Sequence, residues 1–216
     1  MSAKGFGKQF SASGPLVLDG GNLMQGKLAG KHAWRVHCLG RMPSWIGISG
    51  SLGIRLPEVD RDVTREVVRL VKRGTGIVTG GAPGVDMLAM DASLHIDPTG
   101  RHLKVVLPCD FPMFLKYVHA LAYHDIITRA DASLLSALLH TAKKLGCCIE
   151  HPEFARISQE AFSFRNAEVV RLSEKLLAFH VDNSGGTTNT IRHALRAGKD
   201  VYRFVYVSGR GVEGIE

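Results

Sequence analysis

Three times along this chain a short apolar run breaks into a turn crowded with Gly, Ser or Thr and then into a segment with helical periodicity. Residues 45–49 lead through Gly50 and Ser51 to residues 59–73, in which Val63, Val67, Leu70 and Val71 share one helical face. Gly76–Thr79 leads through Gly80-Gly81-Ala82-Pro83-Gly84 to an Ala-, Met- and Leu-rich helix over residues 85–94. Residues 176–179 lead to Ser184-Gly185-Gly186-Thr187-Thr188 and a helix over residues 189–197. Strand, turn and helix repeated in this order require long crossovers between parallel strands. The expected fold class is therefore α/β: a Rossmann-like, mostly parallel sheet with helices on both faces. Further strands are expected at residues 102–107, 147–149 and 201–205, and helices at residues 133–145 and 164–172. The unbroken apolarity of residues 176–179 marks a central strand.

With 216 residues and 45% apolar content, the chain can bury a core without disulfides or a metal. It has no apolar run of roughly 18 residues and no apolar stretch at its N-terminus, so no membrane span is expected and the cytosol is the expected compartment. The net charge of +7 is unevenly spread. Lys4, Lys8, Lys27, Lys31, Arg35 and Arg41 face only Asp19 in residues 1–44, which leaves the remainder close to neutral. Three segments are expected: a basic, Gly/Ser-rich extension over 1–44 with room for a hairpin, the α/β domain over 45–207, and a tail over 208–216. The arm is either a solvated extension or a phosphate-neutralising contact to nucleic acid.

The glycine-rich turns carry the chemistry. At the carboxyl ends of parallel strands, helix N-termini present unpaired N–H groups and a partial positive charge, and anions bind there. Glycines allow close backbone approach, here at Gly50, Gly80, Gly81, Gly84, Gly185 and Gly186, while Ser49, Ser51, Thr79, Ser184, Thr187 and Thr188 supply hydroxyl donors. Neither GxGxxG nor GxxxxGK[ST] occurs, which disfavours a dinucleotide oxidoreductase and a P-loop NTPase. Cys38, Cys109, Cys147 and Cys148 lack CxxC spacing, and the ten histidines show no ligand clustering, so no metal and no required cofactor are expected. Vicinal Cys147 and Cys148 read as a buried strand pair.

The segment Gly76-Ile77-Val78-Thr79-Gly80-Gly81-Ala82-Pro83-Gly84-Val85-Asp86, with Ala89 and Ala92-Ser93-Leu94 after it, resembles the signature of DNA-processing protein A (DprA/Smf). Later features follow the same order: Val105-Val106-Leu107-Pro108-Cys109, Gly146 to Pro152, Phe164-Arg165-Asn166, then Ser184-Gly185-Gly186-Thr187. The similarity covers about residues 45–205 and extends to the wider superfamily of Lonely Guy phosphoribohydrolases and molybdenum-cofactor carrier proteins. It implies single-stranded DNA or a nucleotide as ligand, an Arg165 beside the pocket, and a homodimer. Ala167 stands where that family has a second arginine, and the winged-helix domain that many family members carry is not expected here. In the Lonely Guy motif PGGxGTxxE the glutamate position is taken by Thr190, which disfavours hydrolysis by that route and leaves catalysis open.

Individual residues keep two readings each. Asp86 either stabilises a helix N-terminus or contacts a ligand hydroxyl. Arg165 either clamps a phosphate or pairs with Glu150 or Asp182. Asn166 reads a base or caps its helix, and His180 is the histidine nearest the expected pocket. The leading expectation is a protein that binds a nucleotide or single-stranded DNA or RNA. The alternatives are a hydrolase of an N-glycosidic or phosphate bond that uses Asp86, Glu150 or Asp182, and a carrier or sensor of a nucleotide-derived small molecule.

Overall fold

The computed structural model describes residues 16–18, 22–24, 44–53, 56–182 and 184–208. Contacts divide the chain into two units, Met1–Arg41 and Met42–Glu216. In the first, β1 (Leu16–Leu18) and β2 (Asn22–Met24) form an antiparallel hairpin in which Leu16 pairs with Met24. The six basic residues of the N-terminal arm, Cys38 and the tail after Ser208 lie outside the described residues.

The second unit alternates strand and helix. Its elements are β3 (Trp45–Gly50), α1 (Pro57–Lys72), β4 (Gly76–Thr79), α2 (Val85–Ile96), β5 (Leu103–Val106), α3 (Phe111–Tyr123), α4 (Arg129–Lys144), β6 (Cys148–Ile149), α5 (Gln159–Arg171), β7 (Lys175–Val181), α6 (Gly185–Arg196) and β8 (Asp200–Tyr206). The six strands of the sheet run in the order β6-β5-β4-β3-β7-β8, and every pairing is parallel. This is the expected α/β Rossmann-like fold.

Period-two alternation distributes the core over both faces of the sheet. Ile77, Leu177 and Phe179 join the larger cluster with the buried residues of α1 to α4, while Val78, Leu176 and Ala178 meet α5 and α6. In α1 the buried residues are Val59, Val63, Val67, Leu70 and Val71, one stripe at helical spacing. Each such aliphatic residue contributes on the order of 1.5–3 kcal/mol as an upper bound. Pro57 opens the helix at a position where its missing N–H costs nothing.

Four helices depart from expectation: α4 begins at Arg129 rather than at 133 and α5 at Gln159 rather than at 164, and α3 and α6 differ as follows. No element is anticipated from the sequence between residues 107 and 133, yet α3 occupies Phe111–Tyr123. Its signals are present: the Asp110 carboxylate accepts the Met113 N–H at 2.9 Å, Pro112 follows in the first turn, and Phe111, Phe114, Val118, Leu121 and Ala122 make a buried stripe. The α6 helix begins at Gly185 rather than at 189, so the third glycine-rich turn is itself a first helical turn. Glycine propensity argues against that start, and tertiary packing overrides it. The vicinal cysteines are not the buried strand pair expected: Cys147 is buried just ahead of β6 and Cys148 opens β6 half-buried, while Cys109 is fully buried.

Candidate ligand pocket

The chain proceeds outward from β3 through β4 and β5 to β6, then returns to add β7 on the other side of β3. Connections leaving the carboxyl ends of β3 and β7 therefore diverge, which opens a crevice. A cavity of about 400 Å³ lies there, floored by Ser49, Gly50 and Gly80 at the strand ends. Its walls are Asp86 of α2, Phe114 and Tyr117 of α3, Phe162, Arg165 and Asn166 of α5, and Ser184, Gly185 and Gly186 at the start of α6.

Ser49, Gly50, Gly80, Asp86, Arg165, Asn166, Ser184, Gly185 and Gly186, all anticipated from the sequence, are thus brought together. Ser51, Thr79, Gly81, Gly84, Thr187 and Thr188 are not among the lining residues and build the shell behind it. The Ser51 hydroxyl oxygen accepts the Val181 N–H at 2.9 Å and lies 2.9 Å from Ser184 Oγ, joining the ends of β3 and β7. Ser184 Oγ is in turn 2.7 Å from Thr187 Oγ1, and Thr188 donates to the Ser184 carbonyl at 3.0 Å. These hydroxyls order the first turn of α6. Gly81 (φ 66°) and Gly84 (φ 89°) hold left-handed conformations, so the turn after β4 demands glycine for its own geometry.

Asp86 serves that turn directly: its Oδ2 accepts the N–H groups of Gly80 at 3.2 Å and Ala82 at 3.3 Å. Arg165 pairs with Asp86, Nη1 to Oδ2 at 3.6 Å, and Nη1 also donates to the Gly80 carbonyl. This corrects the pairing with Glu150 or Asp182. Glu150 accepts the Phe111 N–H and pairs with Lys143, and Asp182 accepts the Ser208 N–H, so both acidic groups are engaged elsewhere. Both members of the Arg165–Asp86 pair are 7% exposed. Desolvation pushes the Asp86 carboxyl upward against the pull of Arg165, the two backbone N–H groups and the Thr79 hydroxyl. It likewise lowers Arg165 against the opposing effect of Asp86. Arg165 Nε is buried and makes no hydrogen bond.

Several lining residues escape sequence reasoning. Phe114 and Tyr117 come from α3, and Gln159, Phe162 and Ser163 lie on α5 ahead of the Phe164-Arg165-Asn166 motif. On α6, Asn189 accepts from Asn166 Nδ2 at 3.1 Å, and Thr190 donates to the Gly186 carbonyl while accepting from Ser49 at 3.1 Å. The helical spacing of Phe162 with Arg165 and Asn166 was the available signal for the α5 wall. His180 stands outside the cavity, its Nε2 3.3 Å from both the Ser184 carbonyl and Thr188 Oγ1, where it props α6. Among the described residues no group of three His, Cys, Asp or Glu side chains could hold a metal ion, and no helix is long and apolar enough to cross a membrane.

An all-parallel Rossmann-like sheet with a cavity at its switch point defines the class of this unit. The sequence pattern of the DNA recombination-mediator protein A family matches residues 45–210, and the chain belongs to that family. Among solved structures, DNA processing protein A from Helicobacter pylori, described for its single-stranded DNA binding mode, superposes with a TM-score of 0.53 at 22% identity. That match covers 75% of this chain and 65% of the other. DNA processing protein A from Streptococcus pneumoniae gives 0.48 at 18% identity, over 75% of this chain and 50% of the other. The molybdenum cofactor binding protein from Rippkaea orientalis gives 0.49 at 15% identity, over 76% and 77%. The chain thus spans about two thirds and one half of the two DNA processing proteins. The first likeness is one of fold, and no curated protein matches the sequence.

Proposed function

We propose that the switch-point cavity binds a nucleotide, free or as a unit of single-stranded DNA or RNA, through its phosphate. The observation that carries this reading is Arg165: a buried guanidinium lining the cavity, with Nε lacking any hydrogen bond. A guanidinium beside a cavity attracts an oxyanion, which it holds by charge-assisted hydrogen bonds.

The start of α6 supports the same reading. A side chain added at Gly185 or Gly186 would meet nothing within 4 Å, so packing does not require glycine there. Bare backbone N–H groups at a helix N-terminus, facing a cavity with a buried arginine, suit a phosphate. Ser49, Ser184, Gly50 and Gly80 then belong to the ligand-contacting set, with Asp86 as the group that holds Arg165 in place. Phosphate is the anchoring group in this proposal, and a cytosolic homodimer accompanies it; sedimentation velocity tests the dimer.

Isothermal titration of the full chain with AMP, UMP and a single-stranded oligonucleotide tests the reading. Saturable binding to at least one of them, weakened by inorganic phosphate in competition, is the expected result. Silence across the whole set rejects it.

A further inference from the structure

We propose that His180 is the positioning residue of the anion turn: from the end of β7 its Nε2–H holds the Ser184 carbonyl, and through that rigid peptide unit it aims the Gly185 N–H at the phosphate. The proposal rests on the phosphate reading above and adds to it a residue that does not itself touch the ligand.

His180 is an unusual residue for its place in the core. On β7 it continues the alternate stripe of Leu176 and Ala178, which packs in one apolar cluster with Val170 of α5 and with Ile191 and Ala194 of α6. It is 3% exposed. An imidazole buried at the end of such a stripe costs stability unless its ring nitrogens find partners, and here both do. Nδ1 lies 3.4 Å from Arg203 Nη2 on β8, while Nε2 lies 3.3 Å from both the Ser184 carbonyl oxygen and Thr188 Oγ1 at the start of α6.

The first of these contacts decides the second. A guanidinium only donates, so Nδ1 accepts from Arg203 and the proton of the neutral ring sits on Nε2. From there it is donated to the Ser184 carbonyl, with Thr188 Oγ1 as a shared acceptor. The same carbonyl takes the Thr188 N–H at 3.0 Å and the Thr188 hydroxyl at 3.0 Å. Both Thr188 donors belong to α6 itself, whereas His180 ties the carbonyl to the sheet.

That carbonyl is in the peptide unit that carries the Gly185 N–H. A trans peptide is planar, so its C=O and N–H point in opposite directions and turn together. Gly185 opens α6 and lines the cavity, and an N–H in the first helical turn has no partner within its own helix. Nothing stands within 4 Å of a β-carbon at Gly185, so packing does not fix this unit. The hydrogen bonds on its carbonyl side do. Donation to the carbonyl also polarises the N–H on the other side, which strengthens the donor offered to an anion.

Two measurements on the full chain test the proposal. Nitrogen-15 NMR of the histidine rings, with His180→Gln identifying the resonances, should show a protonated Nε2 and a bare Nδ1 in the parent, and a mixture of tautomers in Arg203→Met. Titration with AMP and with a short single-stranded oligonucleotide reads the consequence. His180→Leu suits the apolar stripe but has no donor, and should weaken binding roughly three- to tenfold. His180→Gln places an amide nitrogen where Nε2 stood and should recover most of that loss. Arg203→Met, at the exposed edge strand, should weaken binding in the same direction, and it decides the question if the melting temperature shows His180→Leu to be unfolded. A protonated Nδ1 in the parent, parental affinity in a folded His180→Leu, or in Arg203→Met where His180→Leu is unfolded, or equal losses in folded His180→Leu and His180→Gln overturns the positioning role and leaves the phosphate reading standing. No binding by the parent rejects that reading, and this role with it.

Discussion

The guanidinium of Arg165 occupies the space that a β-carbon at Gly80 would need. Arg165 Nη1 also donates to the Gly80 carbonyl, so this glycine at the end of β4 is required by a side chain 85 positions later in the chain. Gly80→Ala should therefore displace Arg165 and weaken nucleotide binding about as much as loss of the arginine does. Gly185→Ala provides the contrast. With nothing within 4 Å of the new β-carbon, it should leave stability unchanged or raised by up to about 1 kcal/mol, and still reduce affinity by crowding the cavity. Chemical denaturation and titration of the two variants side by side check both halves.

Removing Arg165 should affect binding and folding together. Arg165→Ala is expected to weaken ligand binding by about 1.5–3 kcal/mol, as for a charged hydrogen bond. It should also destabilise the fold by roughly 3–5 kcal/mol, because Asp86 is left buried without its counter-charge. Arg165→Met combined with Asp86→Asn removes the stranded charge, and an asparagine can still accept from Gly80 and Ala82. Stability should return in that double variant while affinity does not. Recovery of both would show that Arg165 acts only through the fold.

Asp97 gives a pH dependence of known sign. Burial pushes its carboxyl up, but bonds from Thr99 and His102 outweigh that and bring it down to about 2 from 3.8. A carboxyl lowered in the folded state contributes stability that is present above about pH 4 and is lost as pH falls towards 2. Urea midpoints should show Asp97→Asn less stable than the parent at about pH 5, with the gap narrowing towards about pH 2. A gap that stays constant over this range would count against the assignment.

Two thiols should be unreactive in the native protein. Burial, with Asp110 and Glu150 nearby, pushes Cys109 up to about 11, and burial with Cys147 and Glu150 pushes Cys148 up to about 12. Near neutral pH neither holds an appreciable thiolate fraction. Iodoacetamide followed by peptide mapping should leave Cys109 and Cys148 unmodified in buffer and label both in denaturant.

Much of this architecture was readable without coordinates, because the relevant rules are local. Alternating apolar runs and helical stripes define a parallel α/β sheet wherever they recur, and glycine-rich turns at strand ends mark where a ligand can approach. For the same reason α3 was recoverable in principle: Asp110, Pro112 and the apolar spacing after them are ordinary helix signals. The grouping of Gly80, Asp86 and Arg165, by contrast, depends on α5 crossing the end of β4, which no local pattern encodes.

Sequence by itself determined the fold class, the family and the strand ends at which the cavity forms. Tertiary structure alone decided which residues of those turns face the cavity, which are spent on the shell behind it, and that Arg165 is paired with Asp86 rather than Glu150 or Asp182. The physical reason is range. Periodicity and turn chemistry act over a few residues, whereas burial, charge pairing and the separation of lining hydroxyls such as Ser49 from structural ones such as Ser51 depend on where distant segments come to rest once the sheet has assembled.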